Sequence, residues 1–481
     1  MQSQLPVIRT YTGVDRQAAG SAYRADVRTA RSAGWVPVAH RWRTEGDVHE
    51  LAVVFELHEP APSDTPDAGL DALEESAAIA DAPRSDQPLG DLVPGEATLV
   101  DPEVGEPVGL PPAPLAVPAM SLVMPAPAGL SAARAHARAT LETIDLHAGG
   151  EPIRLIRSGY PQVPFAPILE RRRWARDHAD SARQMLMYEP RGHRDMYGAV
   201  LLPPYRSDAD IAVLFMHNEG YSTMCGHGVI ALTTGLIEEG LYPAVTPATT
   251  VRWETPAGLV TAVAAVGTGE DGGPEVSGVR FTNVPSYLHA SDITVAVDGR
   301  GPVQVQLAFG GAYYGIVDVA DLGLRVVPAS IDALTSAGAA ITLALRQDHS
   351  PTHPTDADLG FVYGTIIVDQ EPATAPDGRA TDATIRNVTV FADAEVDRSP
   401  CGSGTSALLA WLHSTGRLEQ GQDIRNASIT GEVFEGRVES LTTLGARDAV
   451  ITSIAGSGYV TGYHTFVVDD RDPLGDGFLL R

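Results

Sequence analysis

The chain has 481 residues, enough for two or three domains with a sizeable buried core. Its formal net charge is −27 at pH 7, and so acidic a protein repels polyanions, so we expect no nucleic-acid partner. All 34 cationic residues are arginine, and the absence of lysine excludes a pyridoxal-phosphate Schiff base and a P-loop of the GK[ST] type. Two cysteines are too few for a disulfide framework, and the N-terminus lacks a signal-peptide pattern, which predicts a reducing, cytoplasmic setting.

Residues 1–58 carry the pattern of a small folded module. The stretches "VIRTYTG", "WVPVAHRWRT" and "HELAVVFELH" are strand-like, and apolar residues recur at helical spacing between the first two. This order predicts a β-α-β-β module. No residue in it indicates chemistry, so its role is unknown, and one interpretation is a unit that binds a partner and recruits the rest of the chain.

Residues 59–140 have the composition of a disordered linker. Between residues 59 and 107 there are thirteen acidic residues and one arginine among Pro, Ala, Ser and Gly. Residues 110–130 are uncharged and long enough to span a bilayer, but their six prolines would break such a helix. The sequence therefore predicts an extended tether and no membrane association.

Residues 141–481 are strand-rich and punctuated by glycine, and their best helical stretches begin directly after the two cysteines. Residues 267–272, "GTGEDG", match the G-x-G-x-x-G nucleotide motif, but strand-like sequence follows where that motif needs a helix. We predict a hairpin loop there. Residues 171–173, in "LERRRWARDH", are predicted to form a solvated helix face.

An internal repeat surrounds the two cysteines. Residues 215–240 and 391–416 share the pattern Phe-x9-Cys-Gly-x-Gly-x2-Ala-Leu, and each of Cys225 and Cys401 is followed fifteen residues later by glycine. Each copy predicts a strand, a polar loop, a turn and an apolar helix that ends at the glycine. We therefore expect an α+β fold of two pseudo-symmetric halves, with two thiol-bearing helix N-termini facing one shared cleft.

Such a cleft has a definite chemistry. A helix N-terminus presents free N–H groups and about half a positive charge, which lowers the pKa of a thiol and binds a carboxylate. A small α-amino acid held there would present its Cα to one sulfur on each face. One thiolate could remove the α-proton while the opposite thiol delivers another, and this inverts the centre with no cofactor and no metal.

The region from about residue 142 to residue 481 resembles the proline racemase family. The resemblance rests on "MCGHG", "DRSPCGSGT", "IDLHAGGEPIRLI", "AFGGAYYGIVDV", "GSGYVTGYHTF" and "DDRDPLGDGFLL", which occur in the family's order. It implies a cofactor-independent racemase, epimerase or dehydratase that acts on proline or hydroxyproline as its small-molecule substrate. A homodimer is an assembly that we also consider.

The resemblance also assigns roles to individual residues. It makes Cys225 and Cys401 the acid/base pair and places Asp397 at the ring ammonium. The residues that it places around the substrate carboxylate are Gly226, His227, Gly402 and Ser403. The flanking stretches look most like the trans-3-hydroxy-L-proline dehydratase branch, in which the second cysteine is a threonine. Cys401 departs from that pattern, so two functions stay open: a two-thiol racemase or epimerase, and a dehydratase.

Other interpretations of the same residues also stay open. The cysteines could be structural buried thiols, or Cys225, His227 and Cys401 could bind zinc, although no fourth ligand is evident. A Cys-His hydrolase would leave the second Cys-Gly-x-Gly turn without a role. His227, Asp397 and Ser403 could simply pack or cap at the helix starts.

Overall fold

The computed structural model divides into two compact units, Met1–Val123 and Met124–Arg481. It describes residues 7–13, 35–45, 48–57, 137–297, 301–370 and 385–480. In the first unit, β1 (Val7–Gly13), β2 (Trp35–Glu45) and β3 (Val48–Leu57) form an antiparallel sheet in the order β1-β3-β2. The helix predicted between β1 and β2 and most of the predicted linker lie outside the described residues.

The second unit contains seventeen strands and five α-helices among its described residues. Its first strand begins four residues before the predicted boundary at residue 141. The strands are β4 (Ala137–Ala148), β5 (Glu151–Ser158), β6 (Tyr197–Leu202), β7 (Ile211–His217), β8 (Ala248–Thr255), β9 (Gly258–Thr268), β10 (Pro274–Thr282), β11 (Tyr287–Val297), β12 (Gly301–Phe309), β13 (Tyr313–Asp318), β14 (Val362–Asp369), β15 (Ile385–Phe391), β16 (Glu395–Val396), β17 (Asp423–Ala427), β18 (Val433–Leu444), β19 (Arg447–Gly456) and β20 (Gly458–Asp469). The helices are α1 (Ile168–His178), α2 (Asp180–Met187), α3 (Gly226–Glu238), α4 (Ile331–Asp348) and α5 (Gly402–Ser414).

The strands pair in the same order twice. In the first half, β4 to β9 pair with their neighbours as antiparallel, parallel, antiparallel, parallel and antiparallel. In the second half, β12, β13, β14, β15, β17 and β18 repeat that order. The antiparallel pairing of β10 with β19 links the two halves. The predicted α+β fold of two pseudo-symmetric halves is confirmed.

Helices α3 and α5 occupy equivalent places in the two halves. Helix α3 connects the parallel pair β7 and β8, and α5 connects the parallel pair β15 and β17. Residues 226–237 and 402–412 are all buried, as expected for helices that are apolar on every side. The prediction that a helix follows each cysteine is confirmed.

The predicted hairpin loop at residues 267–272 is confirmed, because β9 and β10 pair antiparallel on either side of it.

The predicted solvated arginine face is wrong for Arg171. Its side chain is buried, with Nε donating to the carbonyl of Ala166 at 2.5 Å and Nη1 donating to the carbonyl of Pro203 at 2.6 Å. The guanidinium satisfies main-chain carbonyls that the surrounding loops leave unpaired, so it lies inside instead of in solvent.

Helix α4 was not singled out from the sequence, although it has 18 residues. With the turn before it, Pro328–Asp348 is long and apolar enough to cross a membrane by length and composition, a test that a core helix of a soluble protein also passes. Leu334, Ile341 and Leu345 are buried, and the helix packs on β14 and β15. It therefore covers one face of the second half of the sheet.

Candidate active site

Cys225 begins helix α3 as its N-cap residue. Its backbone is extended (φ −141°, ψ 106°), and Sγ accepts the N–H of Gly228 at 3.2 Å. The thiol thus occupies the place that a serine or threonine hydroxyl usually takes at a helix start. A Cβ atom on Gly228 would lie 2.8 Å from this sulfur, so the second glycine of the turn makes room for the thiol.

Cys401 begins helix α5 in the same position but with a different backbone. Its φ of 62° and ψ of 99° lie in a region that residues with a side chain rarely adopt. Its N–H donates to Ser399 Oγ at 3.1 Å, and a Cβ atom on Gly404 would lie 2.8 Å from its sulfur. The two turns therefore match around the sulfur and differ in how the chain enters the helix.

The two helix starts meet at Gly226 and Gly402. A Cβ atom on Gly226 would lie 2.5 Å from the Cα of Gly402, and one on Gly402 would lie 2.7 Å from the Cα of Gly226. The ring of Phe281 packs against both positions. Because only glycine fits at either residue, two helix N-termini with their free N–H groups lie side by side.

Both thiols are almost fully buried, with exposed fractions of 4% for Cys225 and 6% for Cys401. Burial raises the pKa of both thiols above the usual range, while main-chain N–H groups of Gly228 and Gly404 act in the opposite direction. The sequence-based expectation of a lowered pKa is therefore wrong in its net direction, because removal of water outweighs the helix start. The charges of Cys401 and Asp397 also raise the pKa of Cys225.

His227 lies against the first thiol. A ring nitrogen is 3.3 Å from Cys225 Sγ, and the ring packs edge-on against Tyr197 at a centroid distance of 5.0 Å. Burial lowers the pKa of His227 to about 3, so the ring is neutral at pH 7. A neutral imidazole can position the sulfur but cannot stabilise a thiolate by ion pairing.

Asp397 lies beside both thiols. Its Oδ1 accepts the N–H of Ser399 at 2.8 Å, and burial raises its pKa to about 6 against the opposing effect of that contact. Arg398, its neighbour in the chain, forms an ion pair with Asp195 at 2.8 Å. Asp397 therefore neither caps helix α5 nor uses Arg398 as a close ion-pair partner.

Glu151 is a site residue that the sequence analysis missed. It is wholly buried, and Oε2 accepts the N–H of Arg398 at 2.7 Å, while Oε1 has no hydrogen-bond partner within the described ranges. Burial and the nearby charge of Asp397 raise its pKa well above the usual range. Its charge also acts on Cys225. Its place in the stretch "HAGGEP", at a tight turn between two strands, was the available signal.

Aromatic side chains from both halves surround the thiols. The hydroxyls of Tyr197 and Tyr363 are 3.2 Å apart, and Tyr363 stacks on Phe391 at 5.4 Å. Tyr314 hydrogen-bonds Ser403 Oγ at 2.8 Å and lies 3.9 Å from Cys401 Sγ. The sequence analysis missed these aromatic residues because they lie on four different strands and only the fold brings them together.

The structure thus gathers all seven residues predicted for the site at the two helix starts. Those residues are Cys225, Cys401, Gly226, His227, Asp397, Gly402 and Ser403, and all are buried. Among the described residues, no three or more His, Cys, Asp or Glu side chains are placed to hold a metal ion. The arrangement offers two thiols, two adjoining helix N-termini and the two buried carboxyl groups of Asp397 and Glu151.

Two similar α+β halves, each with a cysteine at the start of a buried helix, define a class of duplicated enzymes. Residues 143–479 match the family described as proline racemase. The match covers well over half of the chain, and the protein belongs to the proline racemase family. The family resemblance predicted from the sequence is confirmed.

Curated relatives carry two kinds of name. The trans-3-hydroxy-L-proline dehydratase of Homo sapiens is 44% identical over 345 residues, which cover 71% of this chain and 95% of that protein. The enzyme of the same name from Bacillus cereus is 43% identical over 338 residues, covering 70% and 97%. The 3-hydroxyproline 2-epimerase of Burkholderia multivorans is 44% identical over 343 residues, covering 71% and 98%.

Solved structures of similar fold are named for epimerisation and racemisation. A hydroxyproline epimerase from Agrobacterium vitis, with bound trans-4-hydroxy-L-proline, has a TM-score of 0.66 and 34% identity, covering 72% of this chain and 96% of that one. A probable proline racemase from Agrobacterium radiobacter, with bound carbonate, has a TM-score of 0.64 and 31% identity, covering 71% and 96%. The chain is therefore an enzyme of this family, with both reaction types among its relatives.

Proposed function

We propose that this enzyme is a cofactor-independent racemase or 2-epimerase that inverts the α-carbon of proline or a hydroxyproline, with Cys225 and Cys401 as its acid/base pair. The observation that carries the proposal is the pair of adjoining helix starts at Gly226 and Gly402, each with a cysteine at its N-cap position. The names of the relatives support a hydroxylated ring, so trans-3-hydroxy-L-proline is the first substrate to test.

The same residues suggest how substrate is held. The free N–H groups at the two helix starts, around His227 and Ser403, would bind the carboxylate. Asp397 would face the ring ammonium, since it is the buried carboxyl group whose charge acts on both thiols. Ser403 is held in place by Tyr314, which fixes the direction of its hydroxyl.

The proposed chemistry is one proton removed and one proton returned. The sulfur on one face, as thiolate, takes the α-proton and becomes a thiol. The sulfur on the other face, as thiol, donates a proton to Cα and becomes a thiolate, which leaves the inverted product. Because burial disfavours a charged sulfur, the positive ring nitrogen of the substrate would supply the compensating charge when the thiolate forms.

Dehydration of trans-3-hydroxy-L-proline is the second candidate, favoured by the names of the human and Bacillus cereus relatives. In this reaction a thiolate removes the α-proton and the β-hydroxyl leaves with a proton as water. The resulting enamine then tautomerises to a ketimine. This route needs one base at Cα and an acid at the hydroxyl, and it gives Cys401 no role as an acid towards Cα.

A panel of three substrates distinguishes the candidates. Purified protein is incubated with L-proline, trans-4-hydroxy-L-proline and trans-3-hydroxy-L-proline, and each mixture is followed by polarimetry and by a ketimine assay. Inversion of any of the three supports the epimerase. Ketimine formed from the 3-hydroxy compound, with no inversion of any substrate, replaces it with the dehydratase. No change in any mixture contradicts both candidates.

A further inference from the structure

A cavity of about 510 Å³ takes its walls from both halves. Helices α1 and α2 contribute Arg172, Arg176 and Arg183, and Arg346, at the end of α4, faces them from the second half. The sequence analysis assigned these residues no function beyond a solvated helix face. Four guanidinium groups around one cavity form a feature that the proposed chemistry does not use.

Two rings, those of Tyr197 and His227, lie between the inner wall of this cavity and the first thiol. His217 and Tyr363 line it. Both contact Tyr197, His217 by stacking at 5.5 Å and Tyr363 through its hydroxyl at 3.2 Å. Tyr197 in turn packs on His227, whose ring nitrogen is 3.3 Å from Cys225 Sγ. Tyr363 and Tyr197 therefore lie between the cavity and the first thiol.

Main-chain carbonyl groups orient two of the four guanidinium groups. Arg172 donates to the carbonyl of Tyr221 at 2.8 and 2.6 Å, and Arg346 donates to the carbonyls of Val362 at 2.9 Å and Tyr363 at 3.2 Å. A carbonyl oxygen fixes a guanidinium without cancelling its charge. Arg346 comes from the half opposite to Arg172, so the two can approach one ligand from two sides.

The lining also carries negative charge. Asp180, Glu219 and Asp393 line the same cavity, and Asp180 is paired with Arg183 at 2.6 Å. The charge of Glu219 also acts on Arg346. Groups of both signs in one cavity suit a zwitterion, which brings a carboxylate and an ammonium together. With four arginines and three carboxylates the lining has one net positive charge, in a chain whose net charge of −27 repels anions at long range.

We propose that this cavity is an access vestibule in which an incoming cyclic amino acid docks its carboxylate on Arg172 and Arg346 before it passes Tyr363 to the thiols. Its ammonium group faces the carboxylates of Glu219 and Asp393. The proposal rests on the proposed function for the identity of the ligand. Its physical basis is that guanidinium groups bind carboxylates and raise their local concentration at the mouth of a cleft.

The test compares two alkylating reagents that differ in charge. Iodoacetate carries a carboxylate and iodoacetamide does not, so the ratio of their rates at Cys225 and Cys401, measured by mass spectrometry, reports the electrostatics of the access route. Arg346→Gln should lower this ratio at least about threefold at low ionic strength. In 1 M NaCl, where the screening length is about 3 Å, the difference should disappear. Arg346→Lys, which keeps the charge, should retain most of the ratio.

Arg437→Gln is the matched control. Arg437 is an arginine on β18, outside the cavity, paired with Asp423 at 2.5 Å, and its loss changes the net charge by the same amount. The ratio in this variant should equal that of the wild type. Two outcomes contradict the proposal of an access vestibule: Arg437→Gln lowers the ratio as much as Arg346→Gln does, or neither variant lowers it.

A second variant guards against loss of folding in Arg346→Gln. Arg176 is exposed at the rim and pairs with its neighbour Asp177 at 2.8 Å, so Arg176→Glu should fold and should lower the ratio more strongly. An unchanged ratio in a folded Arg176→Glu protein contradicts the proposal. Alkylation needs no turnover, so the two proposals can fail separately. If the variants lower the ratio but the wild-type enzyme inverts no substrate, only the epimerase is rejected. If the wild-type enzyme inverts substrate but the variants leave the ratio unchanged, only the vestibule is rejected.

Discussion

The main chains of Gly226 and Gly402 lie back to back, and a Cβ atom on Gly226 would come within 2.5 Å of the Cα of Gly402. Gly402→Ala should therefore push the two helix starts apart, destabilise the protein by about 1–3 kcal/mol and reduce turnover by orders of magnitude. Gly267→Ala is the control, since the nearest atom to its Cβ would be 4.0 Å away. Urea unfolding and turnover of both variants check this, and equal effects would contradict it.

The repeat around the cysteines made this contact predictable in part. The Cys-Gly-x-Gly turns are local in sequence, so the positions of both thiols and both helix starts followed from residues 215–240 and 391–416. The contact between Gly226 and Gly402 did not follow from either turn alone. It needs the duplicated order of strand pairing, which brings two segments 176 residues apart together.

The sequence could not supply burial. The expected lowering of the thiol pKa used only the helix start, whereas the structure surrounds Cys225 and Cys401 with protein on all sides. Glu151 was missed for a similar reason, because a carboxyl group at a strand turn is usually solvated. Only the fold places it beneath the main chain of Arg398. Tertiary packing, which no local pattern encodes, decided each of these differences.

The stability of the protein should depend on pH through Asp397. Its pKa is about 6 in the folded chain and about 3.9 in an unfolded one, so its contribution to stability is present at low pH and is lost as the pH rises through 6. Asp397→Asn keeps an oxygen that can accept the N–H of Ser399. The variant should therefore gain roughly 2 kcal/mol relative to the wild type between pH 4 and pH 8. Denaturant unfolding at both values measures this, and a difference that does not change with pH contradicts it.

Glu151 should tolerate loss of its charge but not loss of its oxygen atoms. Burial raises its pKa well above the usual range and so favours the neutral form, and the amide oxygen of Glu151→Gln can still accept the N–H of Arg398. Glu151→Ala removes the partner of that half-buried N–H, which costs up to about 1–3 kcal/mol. In thermal unfolding at pH 7, the Tm of Glu151→Gln should be close to that of the wild type and the Tm of Glu151→Ala should be clearly lower. Equal loss in both variants would mean that the folded protein needs the ionised carboxylate.

Alkylation by iodoacetamide should be slow at pH 7 and should still be rising at pH 9.5. Burial raises the pKa of both thiols above the ordinary value near 8.5, and only the thiolate reacts. The rate at each cysteine can be followed by mass spectrometry, with glutathione as the reference thiol. A plateau below pH 8 at either residue would mean that the helix start outweighs burial in solution.

The two cysteine-to-serine variants should both lose inversion but should differ in the partial reactions that they keep. Serine keeps a hydroxyl but cannot act as a base near neutral pH, so inversion should fall by several orders of magnitude in both Cys225→Ser and Cys401→Ser. Cys225 has an extended backbone and Cys401 has a φ of 62°. Serine carries a Cβ atom in the same place as cysteine, so neither replacement changes the strain on the backbone. The difference should appear in deuterated water.

Cys401→Ser keeps Cys225. We assign this thiol to the α-proton of the L-enantiomer, because the dehydratase branch that the flanking stretches resemble keeps it and has a threonine in place of Cys401, so the variant should exchange that proton for deuterium with retention of configuration. It should also form ketimine from trans-3-hydroxy-L-proline, since that reaction needs one base at Cα. Cys225→Ser should do neither with L-substrates. Proton NMR of the α-position and a ketimine assay follow both variants side by side. Inversion by Cys401→Ser at a rate near that of the wild type would remove Cys401 from the reaction, and the second turn would then serve only the symmetry of the fold.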